Sequence, residues 1–427
     1  MASRPQTTVS ILAILLHPRT LAVVMAVLIG TTMVGVPRAQ AQTYTVLHEF
    51  TGGDDGGYPQ SALVIDRAGN LYGTAVLGGR SGEGVVFKME HSGSGWTLQP
   101  LYSFYGGSDG AAPWGPLTMA ADGSLYGTTL GGGNFQGTYC KGGGCGVVFR
   151  LRPPASAPKS VIAPWDETVL YAFDAADGNE PLSPQLLFDQ AGDIYGTTQF
   201  GGYTDSGTVF ELTPHGDGWG ERVLYQGFSL ANGVQPYSGL IMDSAGNLYG
   251  TTSAWGPGGD GVVYELSPSQ DGYVWSILHA FNNGDDGGLS YGGLVMDQAG
   301  NLYGGTVSGG TGDCGVIYEL SPSGSSWTFN VIYNLPSCGG GPYQNLVFDA
   351  AGNLYGTAFG DGTGGGGMVF KLTNSNGTWS LTDLHDFSLQ SEHFPVGAVA
   401  MDSNGNLYGT TESGGTYDYG VVWEITP

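Results

Sequence analysis

The string DRAGNLYGT at Asp66–Thr74 decides the fold, because close copies of it recur along the chain. The copies read AADGSLYGT, DQAGDIYGT, DSAGNLYGT, DQAGNLYGG, DAAGNLYGT and DSNGNLYGT, and their shared tyrosines are Tyr72, Tyr126, Tyr195, Tyr249, Tyr303, Tyr355 and Tyr408. These tyrosines are 52 to 54 residues apart, except for one interval of 69. The long interval holds a Pro/Ala/Ser-rich insert near 153–164, which we interpret as a surface loop. Seven copies at a near-constant period predict a repeat architecture.

Each repeat contains four short runs that are typical of β-strands. In one repeat they are an LVMD-type run, NLYGT, a GVVFEL-type run and a run from a Trp to a Phe. All are rich in Val, Leu, Tyr and Phe, are bounded by Gly, Asn, Asp and Pro, and show no helical period. Four antiparallel strands per repeat predict an all-β fold, a seven-bladed β-propeller, with a linear β-solenoid as the alternative.

The phase of the repeat predicts how the ring closes. The segment after residue 42 opens on residues 43–50, TYTVLHEF, which has the character of a fourth strand. The chain ends on Gly420–Pro427, GVVWEITP, which has the character of a third strand. We therefore expect residues 43–50 to complete the last blade. The alternative is that each repeat is its own blade, which needs no such closure.

Residues 1–41 differ from the repeats and are typical of a secretory signal peptide. They contain Arg4, Arg19 and Arg38 but no acid, then an apolar run, then the small-x-small site Ala39-Gln40-Ala41. We predict cleavage before Gln42, leaving residues 42–427 as a single propeller domain. The alternative is a retained anchor, although the apolar run is shorter than the ~20 residues that span a bilayer. No other stretch is long enough to span a membrane.

Composition narrows the function classes. The 427 residues include 78 glycines, and 37 acids against 12 bases give a formal charge of −25. Few Lys and Arg argue against nucleic-acid binding, which requires neutralisation of phosphates. We expect an acidic, exported monomer that is secreted, periplasmic or held at the cell surface.

The motifs LYGTT, GVVFEL and LHxFxGGxDGxxP resemble the GloVer tandem repeat of choice-of-anchor bacterial surface proteins, over essentially all of the predicted mature chain. The resemblance implies an exported tandem-repeat protein and supplies no catalytic residues. Such proteins often end in a C-terminal anchoring segment. Here the sequence stops at Pro427 directly after the last strand, so we expect release or periplasmic residence.

Two glycine-rich loop families are expected to share one face of the propeller. They are the TTxxGGxxxxG loop between second and third strands and the FxGGxDGxxP loop between blades. All four cysteines fall in them, which predicts the disulfides Cys140–Cys145 and Cys314–Cys338 in an exported chain. A metal site is the alternative, but no His is near either pair.

An aromatic set marks the best candidate binding site. Trp114, Tyr237, Tyr291 and Tyr343 stand at the start of the inner strand in four repeats, where other repeats have Gln60 and Val396. In a closed ring these positions converge near the mouth of the central channel, and aromatic rings there suit carbohydrate or peptide recognition. The alternative is that they only cap the core.

Loop acids are a second candidate feature. Asp55, Asp109 and Asp286 lie in the GGxDGxxP loops, where Asp beside Gly forms tight turns, although such loops also suit Ca²⁺. His48, His279 and His385 alternate with Tyr at one outer-strand position, which indicates a structural role. We assign no catalytic residue and no cofactor, with Ca²⁺ as the one candidate cation.

Three functions fit these observations. The first is a binding module for an extracellular glycan or protein on the glycine-rich face. The second is a glycoside hydrolase or lyase that uses paired acids in the channel. The third is a purely structural surface protein, which side chains filling the channel mouth would favour.

Overall fold

The computed structural model describes residues 42–93, 95–135, 140, 143–154, 165–182, 185–216, 218–336 and 339–427. The predicted signal peptide lies outside the described residues. Described residues form strands and loops without helix, and none of them belongs to a helix suited to crossing a membrane.

Seven four-stranded antiparallel sheets form the blades of a β-propeller, as the repeats predict. The pair β26–β29 forms a small additional ladder. In chain order the strands are β1 Thr43–Glu49; β2 Val64–Ile65, β3 Leu71–Ala75, β4 Val85–Ser92, β5 Gly95–Ser103; β6 Thr118–Met119, β7 Leu125–Thr129, β8 Val147–Arg152, β9 Asp166–Ala172; β10 Leu187–Phe188, β11 Ile194–Thr198, β12 Thr208–His215, β13 Gly218–Tyr225; β14 Ile241–Met242, β15 Leu248–Thr252, β16 Val262–Ser269, β17 Gly272–Ala280; β18 Val295–Met296, β19 Leu302–Gly305, β20 Val316–Ser323, β21 Ser326–Asn334; β22 Val347–Phe348, β23 Leu354–Ala358, β24 Gly365–Ser375, β25 Thr378–Ser388; β26 Glu392–His393, β27 Ala400–Met401, β28 Leu407–Thr411, β29 Ser413–Gly414 and β30 Val421–Thr426.

The last blade is completed by the first strand of the domain. Its sheet has the order β1-β30-β28-β27, and the β1–β30 ladder runs from Thr43↔Thr426 to Glu49↔Val421. The predicted closure is therefore confirmed, and a linear solenoid is excluded. Because the two strands come from opposite ends of the domain, their pairing holds the ring shut.

A glycine in the second strand of every blade makes room for an aromatic ring of the third strand. Gly73 pairs with Phe87, and a Cβ added to Gly73 would lie 2.7 Å from both Phe87 and Leu63. In each remaining blade the same added carbon would approach a ring closer than 3.0 Å, in the pairs Gly127–Phe149, Gly196–Phe210, Gly250–Tyr264, Gly304–Tyr318, Gly356–Phe370 and Gly409–Trp423. The rings are almost fully buried, so the LYGT glycine is a packing requirement.

The threonine after this glycine ties each blade to the next. Thr74 donates its hydroxyl to the carbonyl of Gly115, and Thr410 donates to Ser61 across the closure, both at 3.2 Å. The equivalent bonds are Thr128–Pro181, Thr197–Ser238, Thr251–Gly292 and Thr357–Gly397. In blade five Gly305 stands here instead, and Pro342 would lie 2.8 Å from an added Cβ.

The aspartate that opens the motif organises the turn before the second strand. Asp66 Oδ1 accepts the backbone N–H groups of Ala68 and Asn70, at 2.8 and 2.9 Å. Its Oδ2 accepts Asn70 Nδ2 at 2.7 Å and the Tyr72 hydroxyl at 3.0 Å. Burial raises the pKa of Asp66, but these hydrogen bonds together hold it below its usual value. The shared Asp, Asn and Tyr thus form one hydrogen-bonded unit.

One position of the outer strand forms the seam between blades. At this position Tyr44 stacks on His385 of the preceding blade, with 3.8 Å between the ring centroids. Phe329 stacks in the same way on His279, with 3.7 Å between the centroids. The registers of β9 and β13 place acids, Glu167 and Glu221, at this position.

These two seam acids are poorly compensated. The Oε1 atom of each is buried and accepts no hydrogen bond. Burial raises the pKa of Glu167 to about 7, with Asp109 adding to the shift, and burial with Asp177 raises the pKa of Glu221 to about 7. Because the folded-state pKa values exceed the unfolded value, the folded protein binds these protons more tightly.

Deletion of residues 43–50 should sharply lower the melting temperature, because β30 then loses its partner and β1 no longer joins the two ends of the domain. Differential scanning calorimetry of residues 42–427 with and without this segment measures the effect. An unchanged melting curve would contradict the closing role of β1.

The seam acids predict a pH-dependent stability. The contribution of these protonated acids to the stability of the fold is fully present below about pH 4.5, the ordinary pKa of a glutamate. It is lost as the pH rises through about 7, because the folded state must then carry the buried charges. The Glu167→Gln/Glu221→Gln double variant should therefore have a flatter profile of melting temperature between about pH 5 and 8 than the wild type. The control Asp271→Asn/Asp285→Asn removes the same charge from exposed positions. Equal flattening in the control would assign the effect to net charge instead.

Candidate ligand-binding site

The two glycine-rich loop families lie on one face and are hydrogen-bonded to each other. In blade one, Gly57 and Leu77 exchange backbone hydrogen bonds of 3.0 and 3.1 Å. Ala111–Gly131, Asn179–Phe200, Val234–Ala254 and Gly288–Ser308 repeat this bridge in other blades. The face predicted from the repeat is confirmed, and each inter-blade loop is held by the loop that follows the second strand.

A non-glycine residue with positive φ ends six of the seven inter-blade loops. Tyr58 has φ 55°, donates its N–H to Tyr419 of the preceding blade at 2.8 Å and accepts the N–H of Val76 at 3.3 Å. Its equivalents, also at positive φ, are Ala112, Glu180, Gln235, Leu289 and Phe394. Left-handed backbone is unfavourable for residues other than glycine, so these bonds on both sides hold it in place. We call this residue with its two backbone hydrogen bonds the clamp. The predicted aromatic position lies two residues after the clamp residue, and the clamp fixes the direction of the chain there.

These clamped positions converge on a cavity of about 260 Å³ at the channel mouth. Trp114, Tyr237 and Tyr343 line it, together with their equivalents Gln60 and Val396. The other lining residues are Gln344, Phe359 and Glu412. The fourth predicted aromatic, Tyr291, stands between two of the lining rings. Residues from five repeats therefore share one cavity.

The rings are in contact with one another. Tyr291 meets Tyr237 edge-on, with 5.1 Å between the ring centroids, and lies parallel to Tyr343, with 5.3 Å between the centroids. Tyr343 contacts Phe359 at 5.0 Å, and Phe359 stacks on Phe394 at 4.4 Å. Such packing keeps the rings in place, so their arrangement does not depend on a ligand.

The electrostatic environment of the cavity is negative. Burial raises the pKa of Tyr237 to about 12, with contributions from Tyr291, Tyr343, Glu412 and Glu180. Burial also raises the pKa of Glu412, and the opposing influence comes from His393. The pKa of Glu180 is raised by burial and by Asp205. Two incompletely compensated acids thus act on the aromatic cavity.

The loop acids predicted with the aromatics do not line this cavity. Asp55 accepts His48 Nε2 and the Thr51 N–H, both at 3.0 Å, as well as the Thr51 hydroxyl. Asp109 accepts the Tyr102 hydroxyl at 3.1 Å, and Asp286 accepts His279 Nε2 at 3.1 Å. The acids fasten each loop to the His or Tyr of the preceding outer strand. Among described residues no group of acids, His and Cys fits a metal ion.

The channel below the mouth is uncharged along the residues that the structure describes. Its cavity of about 690 Å³ is lined by the innermost strands, and the polar side chains there are Gln185, Gln344 and Asn345. The described lining of this cavity contains no carboxylate. Glu412 is the one carboxylate that lines the mouth among the described residues.

The cysteines support the assignment of the loops. Cys140 and Cys145 form the predicted disulfide, with a Cα–Cα distance of 5.0 Å. Both side chains are buried, and the Cys145 carbonyl accepts the clamp N–H of Glu180 at 3.1 Å. Cys314 is disulfide-bonded, and its predicted partner, Cys338, lies outside the described residues.

Three residues that line the cavity were not predicted from the sequence: Gln344, Phe359 and Glu412. A signal was present, because Phe359 and Glu412 each stand four residues after the repeat tyrosine. At that position the backbone N–H binds the clamp, as Glu412 does to Phe394 at 2.9 Å. Phe394 is itself a clamp residue, which only the backbone conformation reveals.

Comparison with known sequences places this architecture in a family. The Gloeobacter/Verrucomicrobia repeat matches residues 30–168, 131–274 and 243–427. The chain belongs to the Gloeobacter/Verrucomicrobia repeat family. The resemblance inferred from the LYGTT and GVVFEL motifs is thereby confirmed. No curated protein matches this Gloeobacter/Verrucomicrobia repeat protein in sequence.

Solved structures show distant similarity to this repeat protein. A Thermus thermophilus protein assigned as an oxidoreductase (glucose dehydrogenase) is 16% identical, with a TM-score of 0.43, and the match covers 74% of this chain and 96% of that one. A Bacteroides uniformis protein assigned as a 6-phosphogluconolactonase is 16% identical, with a TM-score of 0.47 and coverages of 76% and 84%. A calcium structure of a Trichoderma reesei carbohydrate-active enzyme of family AA12 is 11% identical, with a TM-score of 0.44 and coverages of 91% and 96%. At these scores the similarities carry no argument about activity.

Replacement of the half-buried loop acceptor Asp55 should destabilise the fold without touching the cavity. Asp55→Ala removes the acceptor for His48 and Thr51, which should lower the free energy of unfolding by about 1–3 kcal/mol. Asp54→Ala, at the exposed neighbouring acid, is the control and should have little effect. Chemical denaturation measures both. Equal effects of the two variants would contradict the fastening role, and a Ca²⁺-dependent rise in melting temperature that Asp55→Ala abolishes would favour a cation site.

Proposed function

We propose that this repeat protein is an exported binding module that recognises an extracellular glycan in the aromatic cavity of its glycine-rich face. The observation that carries the proposal is the convergence of Trp114, Tyr237 and Tyr343 on one preorganised cavity. Aromatic faces stack well on the C–H surfaces of sugar rings, and the Gln60 and Gln344 amides beside them suit hydroxyl groups.

Two features of the mouth favour binding over a purely structural role. Side chains leave a cavity there instead of filling it. The rings also keep intermediate exposure, although the core next to them is almost fully buried. An apolar ring retained at a solvent-accessible cavity loses its contact with water when a ligand covers it, which stabilises the complex.

The proposed localisation supports the same function. The family consists of tandem-repeat proteins, the Cys140–Cys145 disulfide suits an oxidising compartment, and the leader sequence is typical of export. Outside the cell, glycans are abundant, whereas the excess of acidic over basic residues in this chain disfavours nucleic acids.

The test is a glycan array followed by isothermal titration calorimetry of the best ligand. Trp114→Ala should weaken its binding by about thirtyfold, the magnitude typical of a central aromatic contact. The control is Trp255→Ala, because Trp255 lies in a loop of the same face, is 51% exposed and does not line the cavity. A silent array, or equal losses in the two variants, would contradict the proposal.

An assay of turnover separates binding from hydrolysis. Glu412 is the one carboxylate among the described lining residues, so it is the acid that the hydrolase alternative would use. An assay for newly formed reducing ends after long incubation with the bound glycan should remain negative. Turnover that Glu412→Gln abolishes would replace the binding function by glycoside hydrolysis.

A further inference from the structure

The walls of the mouth cavity combine aromatic rings with one carboxylate and contain no base. Among its described lining residues, Trp114, Tyr237, Tyr343 and Phe359 supply rings, and Glu412 supplies the charge. The remaining members are Gln60, Gln344 and Val396. An anionic ligand would meet repulsion here, since the whole chain carries a formal charge of −25.

The ring arrangement is suited to a cation. Tyr237 and Tyr291 meet at an interplanar angle of 75°, whereas Tyr291 and Tyr343 are parallel within 6° and Tyr343 is tilted by 54° against Phe359. Tyr237, Tyr343 and Phe359 line the cavity at different angles, and Tyr291, which is not among the described lining residues, contacts Tyr237 and Tyr343. The face of an aromatic ring carries partial negative charge and attracts an ammonium group within about 6 Å of its centroid.

Glu412 has a histidine, His393, as the basic group that acts on it, and not a permanently charged Lys or Arg. It lies directly after the LYGTT strand, where its backbone N–H is held by Phe394 at 2.9 Å. Its carboxylate is influenced by burial and by His393. Glu180, on the clamp of another blade, adds a second negative charge that acts on Tyr237. A partly buried carboxylate beside ring faces gains most from a ligand that brings a positive charge.

We infer that the cavity selects a glycan carrying a free, positively charged amino group, which the aromatic wall surrounds and the Glu412 carboxylate neutralises. This inference rests on the proposed function and narrows its ligand to amino sugars that lack the N-acetyl group. A neutral sugar has the same stacking surface but brings no positive charge to Glu412. An N-acetylated amino sugar likewise brings no positive charge to Glu412.

The experiment compares three matched ligands that share one β-1,4-linked backbone: the glucosamine trimer, its N-acetylated form and its N-trimethylated form. The trimethylated form keeps a permanent positive charge. Isothermal titration calorimetry on the 42–427 domain should show the two charged trimers binding at least about tenfold more tightly than the N-acetylated trimer.

Two pairs of variants locate the selectivity. Glu412→Gln should weaken binding of the charged trimers by about tenfold and leave the N-acetylated trimer within about twofold of wild type. Asp271→Asn, which removes one exposed charge on a strand hairpin, is its control. Tyr343→Leu should lose most of the preference for charge while Tyr343→Phe keeps it, because both rings offer a π face and leucine does not.

Three results would overturn the inference. If the N-acetylated trimer binds as tightly as the charged trimers, the preference for an amino group is wrong while glycan binding stands. If Glu412→Gln and Asp271→Asn weaken binding equally, the attraction belongs to the overall charge and not to the cavity. If none of the trimers binds, the amino-sugar class is wrong, and the glycan array then decides the proposed function separately.

Discussion

The contact between a second-strand glycine and a third-strand ring is the constraint on which the propeller depends. At Gly73 any side chain would collide with Phe87 and Leu63, and each of the other blades repeats this arrangement with its own ring. Because the ring lies across the backbone of the neighbouring strand, it fills the middle of the blade and fixes the register of the two strands. The tyrosine before the glycine and the threonine after it are then forced into defined directions. The tyrosine reaches the Asp turn, and the threonine reaches the next blade.

The geometry of the candidate site follows from the same repeat. The threonine hydroxyl binds a carbonyl next to the predicted aromatic position, as Thr251 does at Gly292 beside Tyr291. The left-handed clamp residue holds the loop from its other side, as Tyr58 does through Tyr419 and Val76. Five of the blades therefore each place the residue at the predicted aromatic position in the described lining of the cavity. A fixed backbone with a variable side chain is a suitable basis for recognition, because residue identity at these positions changes the ligand without changing the fold.

The loop acids could serve tight turns or bind Ca²⁺, and the sequence alone does not distinguish these two roles. Asp55, Asp109 and Asp286 share a spacing of seven residues with His48, Tyr102 and His279. In sequence, the His/Tyr alternation and the loop Asp look like separate features. In the structure they are two ends of one hydrogen bond. The same fastening uses Asn232 with Tyr225 in the loop between blades three and four, which explains why the acid itself is dispensable there. Carboxylates in this protein therefore serve partly to order the loops. The seam acids Glu167 and Glu221 show the opposite case, in which a buried carboxylate oxygen has no donor and its charge is unfavourable.

The sequence by itself determined the number of blades, the strand order, the closing strand, the shared loop face and the Cys140–Cys145 disulfide. It did so because a seven-fold repeat states the same local rule seven times, and because the phase of its two ends leaves one strand without a blade. The aromatic positions were also visible in sequence, since they recur at a fixed place after the loop. Only the tertiary structure decided that Gln344, Phe359 and Glu412 line the same cavity and that the loop acids do not. These placements depend on residues from different blades meeting at the channel mouth and on a left-handed backbone at non-glycine positions, and neither is encoded in any single repeat.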